Sequence, residues 1–163
     1  MKLGVTGHRT FDDAPAVAAA VTRHVAALAG PIEIWTSLAE GADRLVADTV
    51  LAADPGARLV AVLPLPAGDY RTDFATEAAG AEFDRFLARA DEVVVTGPDA
   101  SGSRESAYLR AGLAVVAATD LLIAVWDGAP ARGQGGTAEI VGAARDAGRA
   151  VLVIPVTRPV RES

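Results

Sequence analysis

The chain has 163 residues, 51% of them hydrophobic and 22% charged, with no cysteine and only two histidines, His8 and His24. A chain of this size buries roughly 68–70% of its unfolded surface and folds as one domain without disulfides or a structural metal. The absence of cysteine removes thiolate catalysis and sulfur-ligated zinc, and two histidines make a histidine-rich metal site improbable. A net charge of −6 with no long Lys/Arg cluster argues against sequence-independent binding to duplex nucleic acid, where neutralising phosphates dominates affinity.

In chain order, apolar β-rich runs alternate with alanine-rich helical runs, which predicts an α/β fold with a mostly parallel sheet. The first strand, Leu3 to Thr6, begins at once, with no charged region, apolar region and cleavage site in series, so a cytoplasmic protein is expected. Helix one runs from about Ala14 to Ala29, with Asp12 or Asp13 as cap, Pro15 in the first turn, Gly30 as stop and a buried stripe of Val17, Val21, Val25 and Leu28. His24 lies beside that stripe and reads as a partly buried structural histidine. Strand two is Ile32 to Thr36, and a second helix starts near Ala42 with Leu45, Val46 and Thr49 available for packing.

Strand three is Arg58 to Leu63. The irregular connection Pro64 to Tyr70 that follows sits where a loop can close over a ligand. A third helix carries Phe83, Phe86, Leu87 and Ala90 on one face, and Glu92 to Thr96 is the fourth strand. The fourth helix, Arg104 to Thr119, is apolar nearly all round, which predicts burial in the domain or in a subunit interface, and hence a homo-oligomer, most simply a dimer. Strand five is Leu121 to Trp126. The apolar stretch Ala111 to Trp126 is broken by Asp120 and falls short of the ~18 residues of a membrane span. The fifth helix starts with Thr137 as N-cap and stops near Gly148, and strand six is Ala150 to Ile154. One domain over residues 1–157 and a frayed tail over 158–163 are expected.

Two glycine-bearing turns, Gly4 to Arg9 (GVTGHR) and Gly133 to Glu139 (GQGGTAE), each follow a strand and lead into a helix. A glycine turn lets backbone N–H groups approach an anion, and the helix start adds unpaired N–H groups and the positive end of its dipole. The expected partner is therefore a small phosphorylated ligand. In the first turn, Thr6 and Gly7 lie at the strand end and Arg9 has the fork geometry for a phosphate, or else pairs with Asp12 or Asp13. His8 has two readings, donor to phosphate or general acid on one side, loop anchor through a backbone hydrogen bond on the other.

Between strand two and helix two, Ser37 can donate a hydroxyl, Gly41 permits the turn, and Glu40 or Asp43 can accept from ribose hydroxyls; Asp43 can equally serve the helix dipole and Arg44 a surface pair. In the last turn Gly133, Gly135 and Gly136 offer successive amides and Thr137 a hydroxyl, unless the segment is only a surface turn. Asp127 ends strand five, where α/β domains place active groups or simply cap a strand, and Trp126 reads as core.

In order and placement, GVTGHR, SLAEGADRLVA (Ser37 to Ala47), SAYLRAG (Ser106 to Gly112), DLLIAVWDG (Asp120 to Gly128) and GQGGTAEIV (Gly133 to Val141) resemble the SLOG superfamily, in particular its bacterial members with a TGHR or TGYR opening. The resemblance implies a Rossmann-like three-layer sandwich, about six strands with helices on both faces. It also implies a nucleotide-like ligand across the carboxyl edge of the sheet; a sensor or regulatory module needing no further cofactor is expected, because the phosphate loops are present while the catalytic pattern of the related hydrolases is off register. The related phosphoribohydrolases, which cleave N-glycosidic bonds of nucleoside monophosphates, use PGGxGTxxE with an arginine on the preceding helix. Aligned on Thr137, their glutamate falls on Ile140 with Glu139 one residue early; counting back from Asp120, their arginine falls on Ala111 with Arg110 one residue early. If catalysis survives, Glu139 acts at the ribose and Arg104 or Arg110 steers the phosphate. DNA binding occurs in one branch of the superfamily, and the acidic balance disfavours it here.

Overall fold

The computed structural model describes residues 1–130 and 136–159. The elements follow one another as β1 (Lys2–Gly7), α1 (Ala14–Ala26), β2 (Glu33–Thr36), α2 (Ala42–Ala53), β3 (Arg58–Leu63) and α3 (Ala67–Arg71). The second half adds α4 (Glu77–Arg89), β4 (Glu92–Val95), α5 (Arg104–Ala118), β5 (Leu121–Trp126), α6 (Thr137–Asp146) and β6 (Ala150–Pro155). Every strand expected from the sequence forms, each within a residue or so at its ends. All neighbouring strands pair in parallel, in the order β4-β3-β2-β1-β5-β6.

The chain winds outward from β1 to β4 and then crosses to the far side of β1 to lay down β5 and β6. The loops leaving β1 and β5 therefore diverge, and a crevice opens between them at the carboxyl edge, the switch point of a doubly wound, Rossmann-like sheet. Helices cover both faces. Leu59, Ala61 and Leu63 of β3 pack with Val17, Val46 and Phe83 of α1, α2 and α4, while Val60 and Val62 turn the other way with Val115 of α5 and Val141 of α6. Near-continuous apolar strands are what two covered faces require.

Three local expectations need correction, and the choice left open for α5 is decided. Helix α1 stops at Ala26 with Ala27 as its cap, before Gly30; Asp13 is the N-cap and accepts from the Ala16 amide at 3.3 Å. The connection after β3 contains α3, because Pro66 enters with φ −50° and its carbonyl accepts from the Asp69 and Tyr70 amides. Tyr70 is thereby buried against Phe74 and Phe83, so this segment is a packed wall. Strand β4 is covered on one face only: α5 and α6 lie over β1, β3, β5 and β6, leaving Val93 and Val95 exposed. Helix α5 uses most of its apolar surface inside the domain, through Ala107, Ala111, Val115 and Val116, and leaves Leu113 38% exposed. Among the described residues, no helix is long and apolar enough to cross a membrane.

Candidate functional site

A cleft of about 380 Å³ opens at the carboxyl edge over β1 and β5. Its floor is apolar, built from Val5, Ala111, Val115 and Ile140, and the β1 turn Thr6 to Arg9 crosses it. One wall comes from the β2 and β3 side, with Ser37, Asp43, Tyr70 and Tyr108; the other comes from the β5 side, with Ala129, Gly136, Thr137 and Arg158. A volume of this size falls within the roughly 300–1,000 Å³ of small-molecule sites.

Two glycines fix the β1 turn, and they do so by admitting protein rather than ligand. A Cβ on Gly7 would lie 2.4 Å from the Ala42 Cβ and 2.8 Å from the Val125 carbonyl oxygen, so β1 closes on α2 and β5 only without one. The turn is then pinned by His8 N donating to Val125 O and Ala42 N donating to His8 O, both at 3.1 Å. Gly41, expected near the ligand, is instead covered by the Arg9 carbonyl, whose oxygen would sit 2.2 Å from an added Cβ, and its φ of +86° with ψ −120° is a conformation that only glycine adopts readily. Gly41→Ala is therefore expected to lower stability by on the order of 3 kcal/mol. A urea midpoint equal to that of the unmodified chain would show that the turn is not locked in this way.

Asp43 is the second residue of α2 and only 6% exposed, at the inner end of the cleft. It shares a face with Ala47 and Val50, so the helical repeat carries a carboxyl into the core. Burial pushes its pKa up to about 7, opposed by the Ala39 amide, the Thr36 hydroxyl and the charges of Arg44 and Arg9. Tyr70 lies in the same pocket, its hydroxyl held well above the usual range by burial and by the Asp43 charge. Arg44 does form an ion pair, with Glu82 at 3.1 Å, but the arginine is buried rather than on the surface: at 3% exposure it also donates to the Leu38 carbonyl at 2.9 Å and the Ala79 carbonyl at 2.8 Å and lies over the Phe74 ring. Glu40 accepts from the Ala75 amide at 3.4 Å, leaving Asp43 as the carboxylate of this loop on the cleft wall.

After β5, Asp127 does not line the cleft; it organises residues that do. Its Oδ1 accepts from Ala129 N at 2.9 Å and its Oδ2 from Arg158 Nε at 2.7 Å, and His8 Nε2 lies 3.1 Å from Oδ1. The Ala129 amide and then the Arg158 and His8 side chains hold its pKa down at about 2. The same Nε2 accepts from the Asp127 amide at 3.1 Å when it carries no proton and donates to Oδ1 only when it carries one, so the two contacts are alternatives; either anchors the loop, and the ring still lines the cleft. Arg158, placed by the sequence at the start of a frayed tail, is fixed by this ion pair, with 19% of its side chain exposed.

Helix α6 starts on the β5 wall. Gly136 is its N-cap, with φ −71° and ψ 166°, and no side chain caps it. The backbone enters helical geometry one residue earlier than a Thr137 cap requires, making Thr137 the first helical residue and freeing its hydroxyl from a capping role. The first bond of the helical ladder runs from Ile140 N to Gly136 O, so the amides of residues 137–139 precede it and face the N-terminal end. Gly133 and Gly135 lie outside the described residues.

The structure separates the catalytic candidates from their neighbours in sequence. Ile140 and Ala111 line the cleft; Glu139 and Arg110 are not among its described lining residues, and Arg110 is exposed with Nη1 donating to the Pro98 carbonyl at 2.6 Å. Arg104 is engaged by Asp69 at 2.9 Å and Asp73 at 2.7 Å, with the Tyr108 hydroxyl also on Asp73, which ties α3 to α5. Of the expected ligand residues the cleft gathers Thr6, Gly7, His8, Arg9, Ser37, Asp43, Gly136 and Thr137. Pro64 and Tyr70, the ends of the connection expected to lie over a ligand, line it as well, and it adds Tyr108 and Arg158, for which the sequence carries no local signal. Among the described residues no group of three or more His, Cys, Asp or Glu side chains is placed to hold a metal ion.

No family model matches the chain, and no curated protein matches it. Among solved structures it is similar to DNA processing protein A (DprA) from Streptococcus pneumoniae, with a TM-score of 0.64 and 21% sequence identity. The match covers 94% of this chain and 50% of that one, so the chain spans half of DprA's length. At this identity the likeness is one of architecture: the chain has the Rossmann-like α/β fold found in part of DprA.

Proposed function

We propose that the chain is a SLOG-type module that binds a nucleotide or nucleotide-derived phosphorylated ligand in the switch-point cleft and acts as a sensor or regulatory unit. The observation that carries this reading is the polarity of the cleft. The start of α6, with Gly136 and Thr137 lining the cleft, offers amides and a hydroxyl for an anion, and Asp43, on the helix that follows β2, offers acceptors for hydroxyl or amine donors. A phosphate joined to a ribose presents those two kinds of group in that order.

The glycosidase alternative is weakened by Ile140 and Ala111 standing where the hydrolases carry glutamate and arginine. A proton NMR time course with AMP, GMP, NAD and ADP-ribose separates the two. Saturation transfer without free base is the expected result, and release of base with new ribose-phosphate signals would replace the sensor by an enzyme. DprA is described as a DNA processing protein, and the net charge of −6 argues against carrying that role over. Fluorescence anisotropy with a labelled oligonucleotide is expected to give no saturable binding at physiological salt, and saturation at or below about 1 μM would reverse this conclusion.

Self-association is a separate proposal, supported by Val93 and Val95 on the outer strand and Leu113 on α5, large apolar side chains left at the surface. Light scattering on Val95→Asp is expected to give monomers from a dimeric unmodified chain. A monomeric unmodified chain removes the proposal.

A further inference from the structure

The segment that leaves β6 returns over the carboxyl edge. Val156 N donates to Trp126 O at 3.3 Å and Thr157 O accepts from Asp12 N at 2.9 Å, so this strap is tied to the end of β5 and to the approach to α1. Those two bonds deliver Arg158 to the lining of the cleft, which also takes in Gly136 and Thr137 at the start of α6. There Nε is committed to Asp127, and among the described residues nothing accepts from Nη1 or Nη2. A guanidinium gripped along one edge keeps its remaining donors in a fixed orientation, the preorganised fork that suits two oxygens of one phosphate.

We propose that Arg158, oriented by Asp127, is the arginine that grips the ligand's phosphate, and that the C-terminal strap is thereby part of the binding site. The inference rests on the cleft reading above and adds its anion-selective residue. It also divides labour between the two arginines on the cleft wall. Arg9 acts electrostatically on Asp43 and Tyr70, which places its charge towards the β2 side and the ribose end. Arg158 stands at the phosphate end. Asp127 is then a positioning residue: it touches Arg158, His8 and the Ala129 amide, and it reaches the ligand only through them.

Titration calorimetry of the full chain with AMP and ADP-ribose, and with adenosine as an uncharged control, tests this. Arg158→Ala is expected to weaken AMP and ADP-ribose by roughly 10- to 100-fold and to leave adenosine unchanged, since it removes a charge-assisted fork. Arg158→Lys should recover only part of the loss, and Arg9→Ala should change the AMP to adenosine ratio by less than roughly threefold. Asp127→Asn should weaken AMP by less than Arg158→Ala, and the double variant should bind no worse than Arg158→Ala alone, the non-additivity of a residue acting through another. A merely structural Asp127 would give additive losses. AMP affinity within about threefold in Arg158→Ala, while Gly136→Asp still abolishes binding, overturns the role of Arg158 and leaves the cleft reading standing. Failure of the unmodified chain to bind either nucleotide overturns both.

Discussion

Gly136→Asp is expected to abolish nucleotide binding while leaving the fold intact. The residue has φ −71° and ψ 166°, ordinary extended backbone that any side chain adopts, and it is the N-cap of α6. Aspartate at an N-cap is at least as favourable as glycine, by a few tenths of a kcal/mol, so the thermal midpoint should hold or rise slightly. The same carboxylate stands where the ligand phosphate is proposed to sit and takes up the amides offered to it. Like charges forced together cost several kcal/mol, and affinity for AMP should fall by at least about 100-fold. Gly136→Ser caps the helix with no charge, and its affinity should stay within about tenfold of the unmodified chain. Calorimetry on the pair decides the matter: an aspartate variant that binds normally sinks the cradle, and a serine variant as damaged as the aspartate one assigns the effect to size.

What is legible in the sequence and what is hidden follow from the range of the interactions involved. Uninterrupted apolar strands and amphipathic helices are local patterns, and all six strands form within a residue or so of where those patterns place them. The one-residue offsets of Glu139 and Arg110 are also legible, because a single step on a helix is a turn of about 100°. In the structure Ile140 and Ala111 line the cleft. The role of Gly41 is not legible, since its constraint comes from the Arg9 carbonyl, far away in sequence. Neither is α3, whose short helix is held by Arg104 and Tyr108 acting on Asp69 and Asp73. Arg158 reads as a solvated charge because nothing in its own neighbourhood announces the strap that pins it to Asp127.

Asp43 supplies the other large expected effect, and its sign is opposite to that of an ordinary aspartate. Its pKa rises from 3.8 to about 7 on folding, chiefly through burial, so the folded chain holds the proton more tightly than the unfolded one. The stabilisation this gives is complete below about pH 4, declines by about 1.4 kcal/mol per pH unit as pH rises towards 7, and is gone above it, a span of about 4 kcal/mol. Carboxylates with lowered values, such as Asp127 at about 2, lose their contribution only as pH falls below about 4, outside that window. The amide introduced by Asp43→Asn has no such proton to lose and can still accept from the Ala39 amide, which donates to the Asp43 carboxyl at 3.2 Å. Urea denaturation of Asp43→Asn should therefore show stability nearly level from pH 5 to 8 and exceed that of the unmodified chain by a few kcal/mol at pH 8. Parallel pH curves for the two proteins would show that Asp43 folds without strain on its charge. On the proposed nucleotide reading, a carboxylate buried at such a cost beside Tyr70 and Ser37 in the cleft is the acceptor for the ribose hydroxyls. Its use is read by comparing AMP with its 2′,3′-dideoxy form: the unmodified chain should prefer the diol by roughly tenfold or more at pH 8, and Asp43→Asn should lose most of that preference. Equal discrimination by both proteins would move the ribose away from Asp43 and leave the raised carboxyl without a ligand to serve.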